Sequence, residues 1–174
     1  EWLMGLYYFD TVRDATSMIT DFAYPPGSPD TIVEINAESV AVFGNFGKPL
    51  NDTTKLIGGL RYQDEDKEAD VLTLGVPGNN TIEDSNTSIK LGLEHRPRDD
   101  LMYFGTVATA YRSGNFNTDL LFGDTSALVG VSTEEVLSYE IGVKSTSQNG
   151  RRRINATFFH QDVKDKQGVV YDSE

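Results

Sequence analysis

The sequence predicts an all-β protein, an antiparallel up-and-down meander that forms part of the wall of a transmembrane β-barrel. Three observations lead there. In 101–112, Tyr103, Gly105, Val107, Thr109 and Tyr111 alternate with Met102, Phe104, Thr106, Ala108, Ala110 and Arg112. In 139–144, Tyr139, Ile141 and Val143 alternate with Glu140, Gly142 and Lys144. A period of two sends neighbouring side chains to opposite faces. Here one face is aliphatic and aromatic while the other mixes ionised and small residues, the pattern of a strand between lipid and a wet lumen. The second observation is that connectors alternate between long and short. The third is that no apolar run approaches the ~18 residues a membrane helix requires, so the chain spans a membrane by strands or not at all.

Seven strands are expected, at 2–10, 38–47, 55–63, 87–96, 101–112, 136–146 and 151–162. The connectors 11–37, 64–86 and 113–135 are long, polar and rich in Gly, Pro, Asn and Asp, whereas 48–54, 97–100 and 147–150 are short. A meander then places its long connectors at one end and its tight turns at the other, as bacterial outer-membrane barrels do. A soluble β-sandwich has turn signals every ~8–12 residues without that asymmetry.

Register offers an independent check, because a one-residue slip exchanges the two faces. Asn149-Gly150 suits a type I′ turn, whose central residues take positive φ. Pairing outward from it sets Val143 opposite Ala156, Ile141 opposite Phe158, Lys144 opposite Asn155 and Gly142 opposite Thr157. Folding about Arg98 sets Leu93 against Tyr103, Leu91 against Gly105, Lys90 against Thr106 and Glu94 against Met102. Both hairpins separate an apolar face, with Leu91, Leu93, Tyr103, Val107, Ile141 and Val143, from a mostly polar one. An open sheet of this kind leaves two edges, which invites aggregation in water.

The segments LMYFGTVATAYRSGNFN (101–117), EEVLSYEIGVKS (134–145), AVFGNFGKPLNDTTKLIGGLRYQDEDK (41–67), IKLGLEHRPRDDL (89–101) and RRINATFFHQDVKDKQ (152–167) resemble the β-barrel part of TonB-dependent outer-membrane receptors. The likeness runs in the family's order from Gly5-Leu6-Tyr7-Tyr8-Phe9 onward. It implies that 1–174 is a partial receptor barrel, an internal slice of a large one, lacking the preceding plug domain and the terminal strand that ends in an aromatic residue. It also implies a bacterial outer-membrane location, a plug that couples to the TonB complex, and external loops that capture a scarce nutrient, most commonly a ferric siderophore.

Composition narrows the alternatives. A hydrophobic fraction of 38% with 27 acidic against 15 basic residues suits a barrel with a polar interior as well as a soluble domain, and argues against nucleic acid as a partner. The absence of cysteine excludes disulfides and thiolate metal sites. His95 and His160 stand far apart without ligand-spaced partners, so no metal site is expected. The run Asp64-Glu65-Asp66-Lys67-Glu68-Ala69-Asp70 lacks the spacing and turn glycine of an EF-hand loop and reads as a solvated loop. Arg151-Arg152-Arg153 lies beside a hairpin turn in an acidic chain. There is no phosphate loop, dinucleotide fingerprint or nucleophile elbow, so neither an enzyme nor a cofactor is expected.

The expected lumen wall carries Arg61, Lys90, Glu94, Glu140 and Lys144, charges that would cost ~2–4 kcal/mol on the lipid face at mid-membrane. Arg112, Asn115 and Asn117 are the candidate ligand contacts, because a guanidinium at the top of its strand can grip an anion bidentately. Tyr7, Tyr8, Phe9, Tyr103, Tyr111, Tyr139 and Phe158, near strand ends or on outward faces, suit aromatic girdles. Two other classes share parts of this pattern: a passive porin or structural barrel without a plug, and a soluble secreted β-sandwich adhesin.

Overall fold

The computed structural model describes residues 1–17, 31–117, 125, 128–147 and 150–168. Its main sheet contains β1 (Trp2–Ser17), β2 (Thr31–Pro49), β3 (Thr54–Thr73), β4 (Val76–Arg98), β5 (Leu101–Arg112), β8 (Glu134–Thr146) and β9 (Arg153–Lys164). Two short strands, β6 (Asn115–Phe116) and β7 (Gly130–Val131), pair inside the connector between β5 and β8. The seven strands lie in the order β1-β2-β3-β4-β5-β8-β9, every neighbouring pair antiparallel. This is the expected meander, and no α-helix occurs among the described residues.

The pairing defines the two faces. Leu91, Val107 and Tyr139 are successive cross-strand partners, as are Leu93, Gly105, Ile141 and Phe158. Leu6, Val42, Tyr62 and Leu60 join this apolar face from β1 to β3. Among the described residues nothing covers it: Ile141 is 65% exposed and Phe158 78%. Arg61, Lys90, Glu94, Arg112, Glu140 and Lys144 stand on the opposite, charged face. The predicted separation of faces therefore holds.

Three details differ from expectation. The stretch 64–86 is no loop: β3 and β4 remain paired up to Thr73 and Val76 and turn through Leu74 and Gly75. Both turn residues have positive φ, 49° and 82°, as a type I′ turn requires. Likewise Thr11–Ser17 and Thr31–Ala37 belong to β1 and β2, while 18–30 lies outside the described residues. The acidic run of 64–70 is thus part of a strand. In this extension the faces exchange polarity. Asp64, Asp66, Glu68 and Asp70 continue the row of Leu60 and Tyr62, whereas Val33, Ile35, Ala69, Val71 and Ile82 sit on the other face and pack with Phe116 and Leu128.

The second difference is the register of β4 against β5. Leu91 pairs with Val107 and Leu93 with Gly105, two residues away from the predicted partners. Between the pairs Arg98–Leu101 and His95–Tyr103, β4 carries Arg96 and Pro97 where β5 carries only Met102, a bulge beside a proline with no N–H to donate. Since the shift is even, every side chain keeps its predicted face. All the partners predicted across the β8–β9 hairpin are present: Val143–Ala156, Ile141–Phe158, Lys144–Asn155 and Gly142–Thr157. Gly150 takes φ +67°, and Asn149 lies outside the described residues.

The third concerns aromatic residues. Tyr8, Tyr103, Tyr139 and Phe158 are on the apolar face, but Tyr7 and Phe9 stack on each other on the charged face. Phe43, Phe46 and Phe104 each face a glycine directly across the ladder, at Gly5, Gly58 and Gly142. In each pair the ring lies where a Cβ on the glycine would be, so the bare backbone is covered by a neighbour's side chain.

Candidate functional site: a basic cleft on the charged face

A cleft of about 410 Å³ opens on the charged face, lined by Arg61, Gln63, Glu65 and Lys67 of β3, Ser88 of β4, and the stretch from Ala110 to Ser113 with Asn115. Its β3 wall follows from strand geometry, because residues two apart share a face and their side chains reach each other. Arg61 donates to Gln63 Oε1 from Nε (2.9 Å) and Nη2 (2.6 Å). Gln63 Nε2 donates to Glu65 Oε2 (2.9 Å), and Lys67 Nζ lies 2.8 Å from Glu65 Oε1. The Arg61 guanidinium also rests over the Tyr7 ring, 5.0 Å from its centroid, and near Phe43. Arg61 and Lys67 are therefore held in place, while the exposed side chain of Arg112 has no hydrogen-bond or ion-pair partner among the described residues.

The other wall exists because β4 and β5 part company. Their ladder ends at Lys90–Ala108, whereas β4 continues with β3 and β5 with β8. Just beyond, Thr109 Oγ1 accepts the Ile89 N–H (2.9 Å), a side chain standing in for the ladder. Tyr111, expected with the outward girdle residues, lines this cleft instead, and its hydroxyl is buried with no hydrogen-bond partner among the described residues.

The segment between β5 and β8 closes the cleft from above. Lys67 Nζ donates to Ser113 Oγ (3.1 Å) and Gly114 O (2.7 Å). Asp84 accepts from the Gly114 N–H (2.7 Å) and from the hydroxyls of Ser113 (3.0 Å) and Thr133 (2.8 Å). Asn80 Nδ2 donates to Leu128 O (2.8 Å), while Phe116 and Leu128 fill the apolar socket of Val33, Ala69 and Val71.

Of the sequence-predicted ligand contacts, Arg112 and Asn115 line the cleft; Asn117 does not, its N–H going to Val129 O (3.2 Å). Arg61 lines it too, whereas Lys90, Glu94, Glu140 and Lys144 occupy the same face outside it, Lys144 with its ammonium over the Phe104 ring at 5.2 Å. Sequence reasoning missed Gln63, Glu65, Lys67 and Asp84. The signal for the first three was present: they continue the odd-numbered parity that put Arg61 on this face. Among the described residues, no cluster of three or more His, Asp or Glu side chains could hold a metal ion.

An antiparallel meander with one apolar face that no described residue covers and an opposite face that carries the charges is the wall of a transmembrane β-barrel. The whole chain, residues 1–174, matches the family described as TonB dependent receptor-like, beta-barrel, and the protein belongs to that family. Its fold is similar to the ferric yersiniabactin uptake receptor FyuA from Yersinia pestis, with a TM-score of 0.79 at 20% identity over 95% of this chain and 26% of that one. The ferric-catecholate import receptor Fiu from E. coli K12 in its open form gives 0.71 at 13% identity, covering 94% and 27%. The alcaligin outer-membrane receptor FauA from Bordetella pertussis gives 0.55 at 18% identity, covering 99% and 32%. The chain thus spans about a quarter to a third of the length of these receptors.

Proposed function

We propose that this chain is part of the barrel of an outer-membrane receptor that takes up a ferric siderophore, and that the basic cleft accepts the anionic ligand on its way into the lumen. In the whole receptor a plug domain precedes this region and a terminal strand follows it, and the TonB complex acts through the plug. The apolar face meets outer-membrane lipid. The observation that carries the reading is electrostatic: a chain of formal charge −12 gathers Arg61, Lys67 and Arg112 around one cleft, with Glu65 the only acidic side chain lining it among the described residues. Concentrated positive charge in a lumen draws in anions against an otherwise repulsive field. The names of the receptors with similar folds, which speak of ferric yersiniabactin, ferric catecholate and alcaligin, point to the same ligand class.

The test is Arg112→Leu in the full receptor, titrated with the ferric complex of 2,3-dihydroxybenzoate as an anionic catecholate probe. Barrel assembly, read from heat-modifiable gel mobility, should be unchanged, because a lumen substitution places no charge in lipid. Probe affinity should fall about ten- to a hundred-fold, the loss expected for one charge-assisted contact of ~1.5–3 kcal/mol. Unchanged affinity in an assembled variant would reduce Arg112 to lining the wall. Iron uptake that persists without TonB would replace active uptake with a passive pore.

A further inference from the structure

We propose that Asp84 is the positioning residue of the cleft: it ties together the two ends of the 113–133 segment and so holds Asn115 and Arg112 at the cleft's rim. What the cleft binds rests on the function proposed above, but the clasp itself rests on geometry alone. Ser113 and Gly114 directly follow β5, and Thr133 directly precedes β8. One carboxylate therefore takes hydrogen bonds from both ends of the segment, at Oδ2 from Ser113 and Gly114 and at Oδ1 from Thr133. Only a carboxylate offers two acceptor oxygens in this arrangement without presenting a donor of its own.

The position of Asp84 makes the clasp consequential. It lies on β4 above the last ladder pair with β5, Lys90–Ala108, so the upper end of β5 has lost its backbone partner on that side. Bonds to Asp84, with those to Lys67, take over where the ladder stops. Gly114 fits this use, since a Cβ there would meet Val131 O at 2.6 Å and Asp84 Oδ2 at 3.3 Å. The residue is also held as an anion. Burial raises its pKa, but hydrogen bonds from Gly114, Thr133 and Ser113 and the charge of Lys67 outweigh that effect and lower it.

The experiment uses the full receptor with a nitroxide attached at position 115 through Asn115→Cys, and a reference label at 138 through Ser138→Cys, lower on the same face. With Asp84 intact the label at 115 should give an immobilised spectrum. Asp84→Ala should lose that component at 115 and leave the label at 138 unchanged, while Asp84→Asn, which keeps one acceptor oxygen, should restore part of it. Should Asp84→Ala fail to assemble, the pair Ser113→Ala with Thr133→Val removes two of the three donors and must release the label at 115 by itself. A label still immobilised in an assembled Asp84→Ala receptor, or in that pair, overturns the proposal. Equal loosening at 115 and 138 overturns it as well, by showing a general loss of wall structure. Because the label needs no ligand, these outcomes are independent of the Arg112→Leu titration that tests the function.

Discussion

At the scale of single residues, two glycines on neighbouring strands carry opposite expectations. A Cβ on Gly142 would meet the Phe104 ring and Ala156 O at 2.5 and 2.6 Å, and the second of these is backbone that cannot swing away. Gly142→Ala should therefore cost about 1–3 kcal/mol, the usual range for forcing extra volume into packed structure. At Gly105 the nearest atom is Glu140 O at 3.8 Å, so Gly105→Ala should leave stability nearly unchanged. Urea unfolding of the barrel in detergent, followed by heat-modifiable mobility, separates the two. Asp84 makes a prediction about pH. Its lowered pKa means that it stabilises the docked segment above the ordinary carboxylate range, and that the contribution disappears as pH falls through the lowered value. Glu65 directly across the ladder, Lys67 on β3 and Tyr111 on β5 are the titratable groups around it. A label at 115 should stay immobilised from neutral pH down into the acid range and be released only below it. Release near neutrality would point to another group.

At the scale of elements, the β1–β4 extension is held together despite its outer face. Asp10, Glu38, Asp66 and Glu83 stand directly opposite one another across four strands, and Asp14, Glu34 and Asp70 repeat the arrangement across three. Like charges placed this way destabilise a ladder. Asp66→Lys sets a cation between Glu38 and Glu83 and should stabilise the extension by about 0.2–1 kcal/mol, an effect that salt should reduce. Hydrogen exchange of the β2 and β3 amides at low and high salt would show it. Burial on the other face offsets the repulsion, and Val71→Asp should undock the 113–133 segment without affecting barrel assembly, because Val71 lies in the socket for Phe116 and Leu128. Here the sequence misled for a physical reason. A strand above the membrane has water on the face that lipid touches lower down, so its dyad reverses phase after Tyr62 and ceases to look like the same strand. The two-residue register shift between β4 and β5 has a different origin: the chain turns at Asp99-Asp100 rather than at Arg98, which moves each partner by three, and the bulge at Arg96-Pro97 takes back one, leaving an even shift that face polarity cannot detect.

At the scale of the whole molecule, the apolar face is the decisive surface. Val107 sits between Leu91 and Tyr139 on it, 45% exposed. Val107→Arg should cost about 2–4 kcal/mol if the site lies near mid-membrane and should impair insertion of the full receptor. Normal assembly of Val107→Arg together with failed assembly of Arg112→Leu would reverse the two faces. In water, by contrast, the 174-residue chain alone should aggregate, since Leu6 at 85% exposure and Phe158 at 78% lie on the strands whose outer edges are unpaired. A monodisperse monomer without detergent would favour the soluble sandwich over the barrel wall.

Alternation determined which residues share each face, connector lengths pointed to a meander, and the Asn149-Gly150 signal fixed how β8 meets β9. These are local signals, and an apolar face must be matched on the next strand whatever the rest of the molecule does. Sequence also placed Arg61 and Arg112 on the charged face, because a charge facing lipid is prohibitively unfavourable. It could not say that Arg112 and Asn115 meet Lys67 in one cleft, nor that Asp84 gathers both ends of a segment some twenty residues long. Those contacts depend on β4 and β5 separating above Lys90 and on the segment folding back over an extension whose polarity has inverted. Only the tertiary structure decided them, since they join residues tens of positions apart and no periodic signal in the chain records such a distance.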